Sequence, residues 1–303
     1  MTTIRIGTRG SALALWQAHH VRDRLQALGH AVELVVITTT GDRVLDRRLE
    51  AVGGKGAFLK EIEEAMVARE IDLAVHSLKD VPTALPPGLS LCAILERADP
   101  RDALLSGGAT LAALPAGARV GTTSLRRRAL VASMRPDVVL EDLRGNVDTR
   151  INRLREGRFD AILLAMAGLT RLGRAGEVTE PLDPRSFVPA PGQGAIALEC
   201  RDGDAAVRAA VEPLHHEPTS RAVTAERAFL AALGGGCNVP LGAHAFAAGP
   251  PGLELVGFVA ATDGSTFLRG EAKGEDPAEV GRRLAADLVG RGATALLAGA
   301  AGA

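Results

Sequence analysis

The stretch IRIGTRGSALALWQAHHVRDRLQALGHAVELVVITT, residues 4–39, reads as strand, helix, strand. Residues 4–8 are a short apolar strand, and Ser11 is placed to cap the helix that follows. In that helix Leu13, Trp16, Gln17, His20, Val21, Leu25 and Leu28 recur at helical spacing, and Gly29 ends it. A β-rich run follows over 32–38. Further on, Leu59, Ile62 and Met66 share one face of a predicted helix over 58–68, and 71–75 is a short buried-type strand. Strand alternating with helix is the grammar of an α/β domain with a largely parallel sheet.

The pattern restarts after Asp99-Pro100. Strand signals fall at 119–121, 138–143 and 161–165, and helix signals at 124–134 and 147–156. This predicts a second α/β unit of similar size. Residues 181–194 hold four prolines and two glycines and read as a linker or hinge. Residues 195–200 are again a strand, which local pattern alone does not assign to either unit. From about Glu217 the grammar changes. A helix over 219–233 leads into Gly234-Gly235-Gly236-Cys237. Strands over 253–262 and 266–272 flank an Asp263-Gly264 turn, and a helix starts at Pro277. The tail is a small α+β domain.

The chain has 303 residues, more than one hydrophobic core usually serves, so two or three domains are expected. Net charge is −1, which carries no nucleic-acid footprint. No apolar run is long enough to span a bilayer, and the N-terminal residues show no signal pattern. Three scattered cysteines, Cys92, Cys200 and Cys237, suit neither a disulfide framework nor a four-ligand zinc site. The expectation is a reduced, cytoplasmic protein with no metal, nucleic-acid or membrane partner.

Four features carry chemistry. Arg9, Arg126, Arg127, Arg144, Arg150 and Arg171 lie beside predicted strand ends and helix starts, with Thr122-Thr123-Ser124 before the first pair. Free backbone N–H groups, hydroxyls and guanidiniums together make an anion site, and open α/β sheets bind ligands at the carboxyl ends of their strands. Any one of these arginines taken alone reads equally as a solvated surface residue. His76-Ser77-Leu78-Lys79-Asp80 follows a strand. Asp80 is a candidate acid/base tuned by Lys79, or a charged surface loop residue. Gly53-Gly54-Lys55-Gly56 lacks the phosphate-loop spacing and reads as a lid with a basic tip, or as a plain loop. Cys237 follows three glycines and is expected to be a more accessible thiol than Cys92 or Cys200, which lie in apolar strands and read as inert core; taken alone it reads as a nucleophile or as an incidental loop cysteine.

Taken together, these stretches resemble the hydroxymethylbilane synthase (porphobilinogen deaminase) family along nearly the whole chain. The matching segments begin with Arg5-Ile6-Gly7-Thr8-Arg9-Gly10-Ser11 and Asp72-Leu73-Ala74-Val75-His76-Ser77-Leu78-Lys79-Asp80. They continue with Gly121-Thr122-Thr123-Ser124-Leu125-Arg126-Arg127, Leu143-Arg144-Gly145-Asn146-Val147 and Pro191-Gly192-Gln193-Gly194-Ala195. The last is Gly235-Gly236-Cys237-Asn238-Val239-Pro240. The resemblance implies two α/β domains of the type II periplasmic-binding-protein kind, 1–95 plus 195–213 and 100–190, with a C-terminal α+β domain, 217–303. It implies stepwise condensation of four porphobilinogen molecules with loss of ammonia, followed by hydrolytic release of a linear tetrapyrrole. The chain would grow on a dipyrromethane cofactor joined by a thioether to Cys237. By the same resemblance Asp80 is the catalytic group, a buried carboxylate that steadies the cation left by departing ammonia. Lys79, Thr123, Ser124, Arg126, Arg127 and Arg144 hold the cofactor. Arg9, Ser11, Phe58, Arg144, Arg150 and Arg171 meet the substrate. The family implies a monomer.

Four positions depart from the family pattern: Thr40, Ala51, Ala57 and Thr123. The first three bear on lid contacts and elongation, not on the reaction. Two other classes fit part of the sequence, a solute-binding module and a carboxylate-binding transferase with another acceptor. The first leaves Cys237 and the third domain without a role.

Overall fold

The computed structural model describes residues 3–40, 59–234 and 239–301. The chain divides into two compact units, Met1–Ala98 with Ala195–Ser220, and Asp99–Gly194 with Arg221–Ala303.

The first unit holds β1 (Ile4–Thr8), α1 (Ala12–Ala27), β2 (Val32–Val36), α2 (Lys60–Val67), β3 (Leu73–Ser77) and β4 (Leu89–Ile94). β1 pairs in parallel with both β2 and β3. In α1, Gln17, Ala18, Val21 and Leu25 are buried one turn apart, so this stripe packs on the sheet. Trp16 and Leu28, which share the helical spacing, stay exposed, and Trp16 stacks on His20 at 5.2 Å instead.

The second unit opens with β5 (Asp102–Ser106), β6 (Arg119–Gly121), α3 (Leu125–Met134), β7 (Val139–Glu141), α4 (Val147–Arg155), β8 (Ala161–Ala165), α5 (Met166–Arg171) and the short β9 (Glu180–Pro181). Its sheet runs β7-β6-β8-β5-β9, with β6 parallel to β7 and β8, and β5 antiparallel to β8 and β9. The chain then re-enters the first unit as β10 (Ile196–Arg201) and α6 (Ala205–Val211). β10 inserts antiparallel between β3 and β4, giving the order β2-β1-β3-β10-β4. Each unit thus has a parallel trio with one antiparallel strand beside it. Sequence reading marked neither β4, the edge strand beside β10, nor β5, which lies between β8 and the short β9.

The linker reading of residues 181–194 is corrected. Phe187 and Val188 are buried in one cluster with Val120, Leu163 and Phe258, and Gln193 is 1% exposed. Prolines lack an N–H, so a proline-rich segment can be buried with fewer donors to satisfy.

After α7 (Glu217–Ala232) come β11 (Leu241–Ala247), β12 (Leu253–Ala260), β13 (Phe267–Gly274), α8 (Pro277–Gly290) and α9 (Ala293–Ala301). The three strands form an antiparallel meander. β12 is buried on both faces. Leu253, Leu255 and Val259 pack with Phe229 and Leu284 of the helices, and Val256, Phe258 and Ala260 pack with Val120 and Phe187. Period-two alternation sends each set to its own core. The predicted two-residue turn is longer: the strands stop at Ala260 and Phe267, and the Ala261 N–H donates to the Thr266 carbonyl across the gap. Among the described residues no helix is long and apolar enough to cross a membrane.

Candidate active site

In the first unit, β1 and β3 are parallel neighbours, so their C-terminal ends share one sheet edge. Arg9, half-buried, follows β1. The Ser11 hydroxyl accepts the Ala14 N–H at 3.3 Å and caps α1, so its oxygen serves the helix. Gln17, buried on α1, donates to the Ser77 hydroxyl at 2.8 Å and ties the helix to the end of β3. The chain then makes a single 3-10 turn, Leu78–Asp80. The Leu78 N–H donates to the Ala195 carbonyl at 3.0 Å, and the Val81 N–H to the Leu78 carbonyl at 3.1 Å. Lys79 and Asp80 therefore ride on a backbone pinned from two sides.

Asp80 is exposed, which corrects the expectation of a buried carboxylate. It lies three residues past Ser77, the last residue of β3. The buried acids are elsewhere. Glu199 of β10 is 0% exposed and bonds His76 Nε2 at 2.9 Å, and its second oxygen has no hydrogen-bond partner among the described residues. Glu63 of α2 has its carboxyl pushed up, first by burial and then by the nearby Glu199 charge, with His76 opposing. Sequence reading missed this cluster because the acid and the histidine lie on separate strands.

In the second unit, the ends of β6 and β7 lie at one edge, since β6 is parallel to β7. Thr123 donates its hydroxyl proton to the Leu143 carbonyl at 3.3 Å, and Ser124 caps α3 by accepting the Arg127 N–H at 3.5 Å. Arg126 and Arg127 are buried, so neither is the solvated surface arginine that each could be taken for alone. They turn inward to Asp102 at the head of β5. Arg126 Nη1 reaches Asp102 Oδ2 at 2.6 Å and the Val188 carbonyl at 2.8 Å. Arg127 gives Nε and Nη2 to Asp102 Oδ1 at 3.0 and 2.7 Å, and Nη1 to the Leu163 carbonyl at 2.9 Å. Gln193 adds a bond to Asp102 at 3.1 Å. Burial pushes the Asp102 carboxyl up, but the two guanidiniums outweigh it and hold the group well below the usual carboxylate range. Burial also pulls the Arg126 guanidinium below its ordinary value, against the pull of Asp102.

Two cations against one carboxylate leave this buried cluster with one net positive charge. The Nε and Nη2 donors of Arg126 hydrogen-bond to nothing among the described residues. That edge of a guanidinium is the one that takes a carboxylate bidentately.

Past β7, Gly145 adopts φ +109°, and a Cβ there would meet Thr149 at 2.8 Å. This tight corner precedes Asn146, which caps α4 by accepting the Thr149 N–H at 2.9 Å. Arg150 Nε donates to the Gly145 carbonyl at 2.7 Å, and Arg144 is half-buried at the same corner. Arg171, at the end of α5, donates to the Gly194 carbonyl at 2.7 Å, and burial lowers its guanidinium to about 10. A backbone carbonyl orients a guanidinium without cancelling its charge. The donor set of this unit therefore fits a carboxylate-rich ligand.

Phe58, Cys237, Gly53, Gly54, Lys55 and Gly56, with the departures Ala51 and Ala57, lie outside the described residues. Thr40 is described: its N–H donates to Glu61 Oε1 at 2.7 Å, and its hydroxyl bonds the same oxygen. A cavity of about 690 Å³ lined by Ser106, Ile151, Arg155, Phe159 and Glu177 contains none of the residues selected from sequence. No His/Cys/Asp/Glu group suited to a metal ion occurs among the described residues.

Fold and donor set define a two-unit α/β protein with guanidiniums arranged for carboxylates. Residues 4–209 match the family described as "Porphobilinogen deaminase, dipyromethane cofactor binding domain", and residues 220–290 match its C-terminal domain. The chain belongs to the porphobilinogen deaminase family, transferases of tetrapyrrole biosynthesis. Porphobilinogen deaminase from Roseiflexus castenholzii is 53% identical over 98% of this chain and 99% of that one. The Pelobacter propionicus protein of the same name is 51% identical over 97% and 96%. Among solved structures, the methionine binding protein MetQ is similar at 13% identity and TM-score 0.45, covering 72% of this chain and 92% of that one. A periplasmic sulfonate-binding protein, SsuA, from Methylobacillus flagellatus matches at 14% and TM-score 0.38, over 75% and 67%.

Proposed function

We propose that this chain condenses four porphobilinogen molecules head to tail, with loss of ammonia, and releases the linear tetrapyrrole hydroxymethylbilane by hydrolysis. The observation that carries the reading is the unneutralised guanidinium charge beside Asp102, with the open Nε/Nη2 edge of Arg126. Each pyrrole unit brings an acetate and a propionate, and these are the groups such donors select.

Cys237 holds the dipyrromethane cofactor by a thioether, and Lys79, Thr123, Ser124, Arg126, Arg127 and Arg144 seat it. When bound, that group supplies the nucleophilic pyrrole carbon on which condensation starts. Arg9, Arg144, Arg150 and Arg171 take substrate carboxylates, with Ser11 and Phe58 alongside. Asp80 stands on its pinned turn as the negative charge opposite the cation that develops when ammonia leaves, and as the carrier of the pyrrole protons. A fixed backbone under the carboxylate means that no reorganisation is needed as the charge appears. Three domains, 1–95 plus 195–213, 100–190 and 217–303, divide the tasks of catalysis, carboxylate binding and cofactor attachment. The protein works as a monomer in the cytoplasm.

The test is the intact mass of the denatured protein beside a Cys237→Ala control. A mass excess of two condensed pyrrole units, lost in the control, supports the reading. If no excess is found and added porphobilinogen leaves the mass unchanged, the reading falls.

A further inference from the structure

At the corner between β7 and α4 a third arginine, which sequence reading passed over, joins Arg144 and Arg150. Arg153 lies on α4 three residues beyond Arg150, so the two are neighbours on the helix surface. Side chains on a helix lean toward its N-terminus, and Arg153 follows that lean back to the corner. Its Nη1 donates to the Arg144 carbonyl at 3.1 Å, while Arg150 Nε donates to the next carbonyl, that of Gly145, at 2.7 Å. Two guanidiniums thus rest on consecutive peptide carbonyls, the first of which belongs to the residue that carries the third.

The acids nearby are committed elsewhere. Asp142 lies 4.0 Å from Arg144, but it also takes Arg128 at 3.5 Å and is itself 55% exposed. Asp148, in the first turn of α4, gives its carboxylate to Arg174 at 2.8 Å. Arg155, two residues on and so on another side of the helix, pairs with Glu177 at 3.0 Å. Arg153 is half-buried, pairs with no acid among the described residues, and donates from neither Nε nor Nη2 to any of them. A carbonyl orients a guanidinium and leaves its charge in place, so like charges face one another here at a cost in free energy. The positive end of the α4 dipole falls at the same corner and adds to that cost. An anionic ligand is what relieves it.

We propose that Arg153 is a further substrate-binding residue, which takes an acetate or propionate carboxylate of the growing pyrrole chain beside those held by Arg144 and Arg150. The assignment rests on the condensation reaction proposed above. Each added porphobilinogen brings another acetate and another propionate, so the anionic load of the bound chain rises at every step while the assigned cations stay fixed in number. A guanidinium anchored through Nη1 alone keeps its Nε/Nη2 edge for a carboxylate, and that edge binds bidentately. Arg153 therefore serves the later steps, when the chain carries more carboxylates than the first additions bring.

Two variants separate charge from bracing. Arg153→Gln keeps a side-chain N–H that can donate to the Arg144 carbonyl and removes the charge, whereas Arg153→Lys keeps the charge. The full-length proteins are mixed with porphobilinogen, quenched in acid at a series of times and weighed intact, which gives the population of each enzyme-bound intermediate. Arg153→Gln should clear the later intermediates about tenfold more slowly than wild type, the loss of one charge-assisted contact, so that they accumulate. Arg153→Lys should run close to wild type, and both variants should melt at the wild-type temperature. Wild-type populations in Arg153→Gln overturn the proposal. So does an equal stall in Arg153→Lys, or a stall that comes with a lowered melting temperature, since either makes the residue a brace of the corner. A wild type that gains no mass removes the proposed reaction and this assignment together, whereas a wild-type ladder that Arg153→Gln reproduces removes this assignment alone.

Discussion

Replacing Asp102 by Asn removes one charge and little volume, and the structure sets the size of the effect. The carboxylate is 0% exposed and holds two guanidiniums that are themselves 5% and 6% exposed. At an effective dielectric near 20, each unit charge about 4 Å away is worth about 4 kcal/mol before desolvation is subtracted. Removing one partner of a buried pair destabilises proteins by about 3–5 kcal/mol, because the other charge stays buried and unpaired. Here two charges are stranded, so Asp102→Asn should lose about 4 kcal/mol. With a urea slope of about 2 kcal/mol per molar, the midpoint should fall by about 2 M. Far-UV circular dichroism is the probe to use. The one tryptophan, Trp16, lies in the first unit and there is no tyrosine, so fluorescence does not report the second. The folded pKa of Asp102 is depressed below the unfolded value of about 3.9. Its contribution is therefore complete above that pH and is lost as pH falls through the folded pKa. The gap between wild type and variant should hold from neutral pH down to about 4 and narrow only below it. A loss under about 0.5 kcal/mol at neutral pH, the ordinary effect of a surface change, would refute the reasoning.

Asp80→Asn should leave the melting temperature unchanged, since the side chain is exposed, and lower tetrapyrrole formation by about 10²–10⁴-fold; normal turnover would remove Asp80 from the mechanism. Arg150→Leu should weaken elongation by about 10–100-fold, one charge-assisted contact, read as a shifted distribution of enzyme-bound intermediates by mass spectrometry. An unchanged distribution would argue that Arg150 only braces the Gly145 corner. Glu63 has a raised folded pKa, so its stabilising contribution is present at low pH and lost as pH rises through that value. Glu63→Gln should therefore melt higher than wild type at neutral pH and match it below about pH 4. A variant that melts lower at neutral pH would show that the Glu63 charge is stabilised by something else.

Local pattern was enough for the strand–helix alternation of residues 4–39, the restart after Asp99-Pro100 and the last hairpin of the tail, though not for β11, because periodicity and caps act within a few residues of themselves. The motifs around Asp80, Arg126 and Cys237 are each contiguous in the chain, and their resemblance to the porphobilinogen deaminase family is what pointed to a transferase. Other features existed only once strands met. β10 enters the first sheet between β3 and β4 from a distant part of the chain. Its arrival supplies Glu199 to His76 and the Ala195 carbonyl to the turn under Asp80. The same holds for Asp102, which in the sequence is one acid in a charged stretch. Only the antiparallel insertion of β5 beside β8 puts it beneath Arg126 and Arg127. Ion pairing and desolvation depend on distance and burial in space. Neither is encoded in any window of the chain, so the electrostatics of this site belonged to the tertiary structure alone.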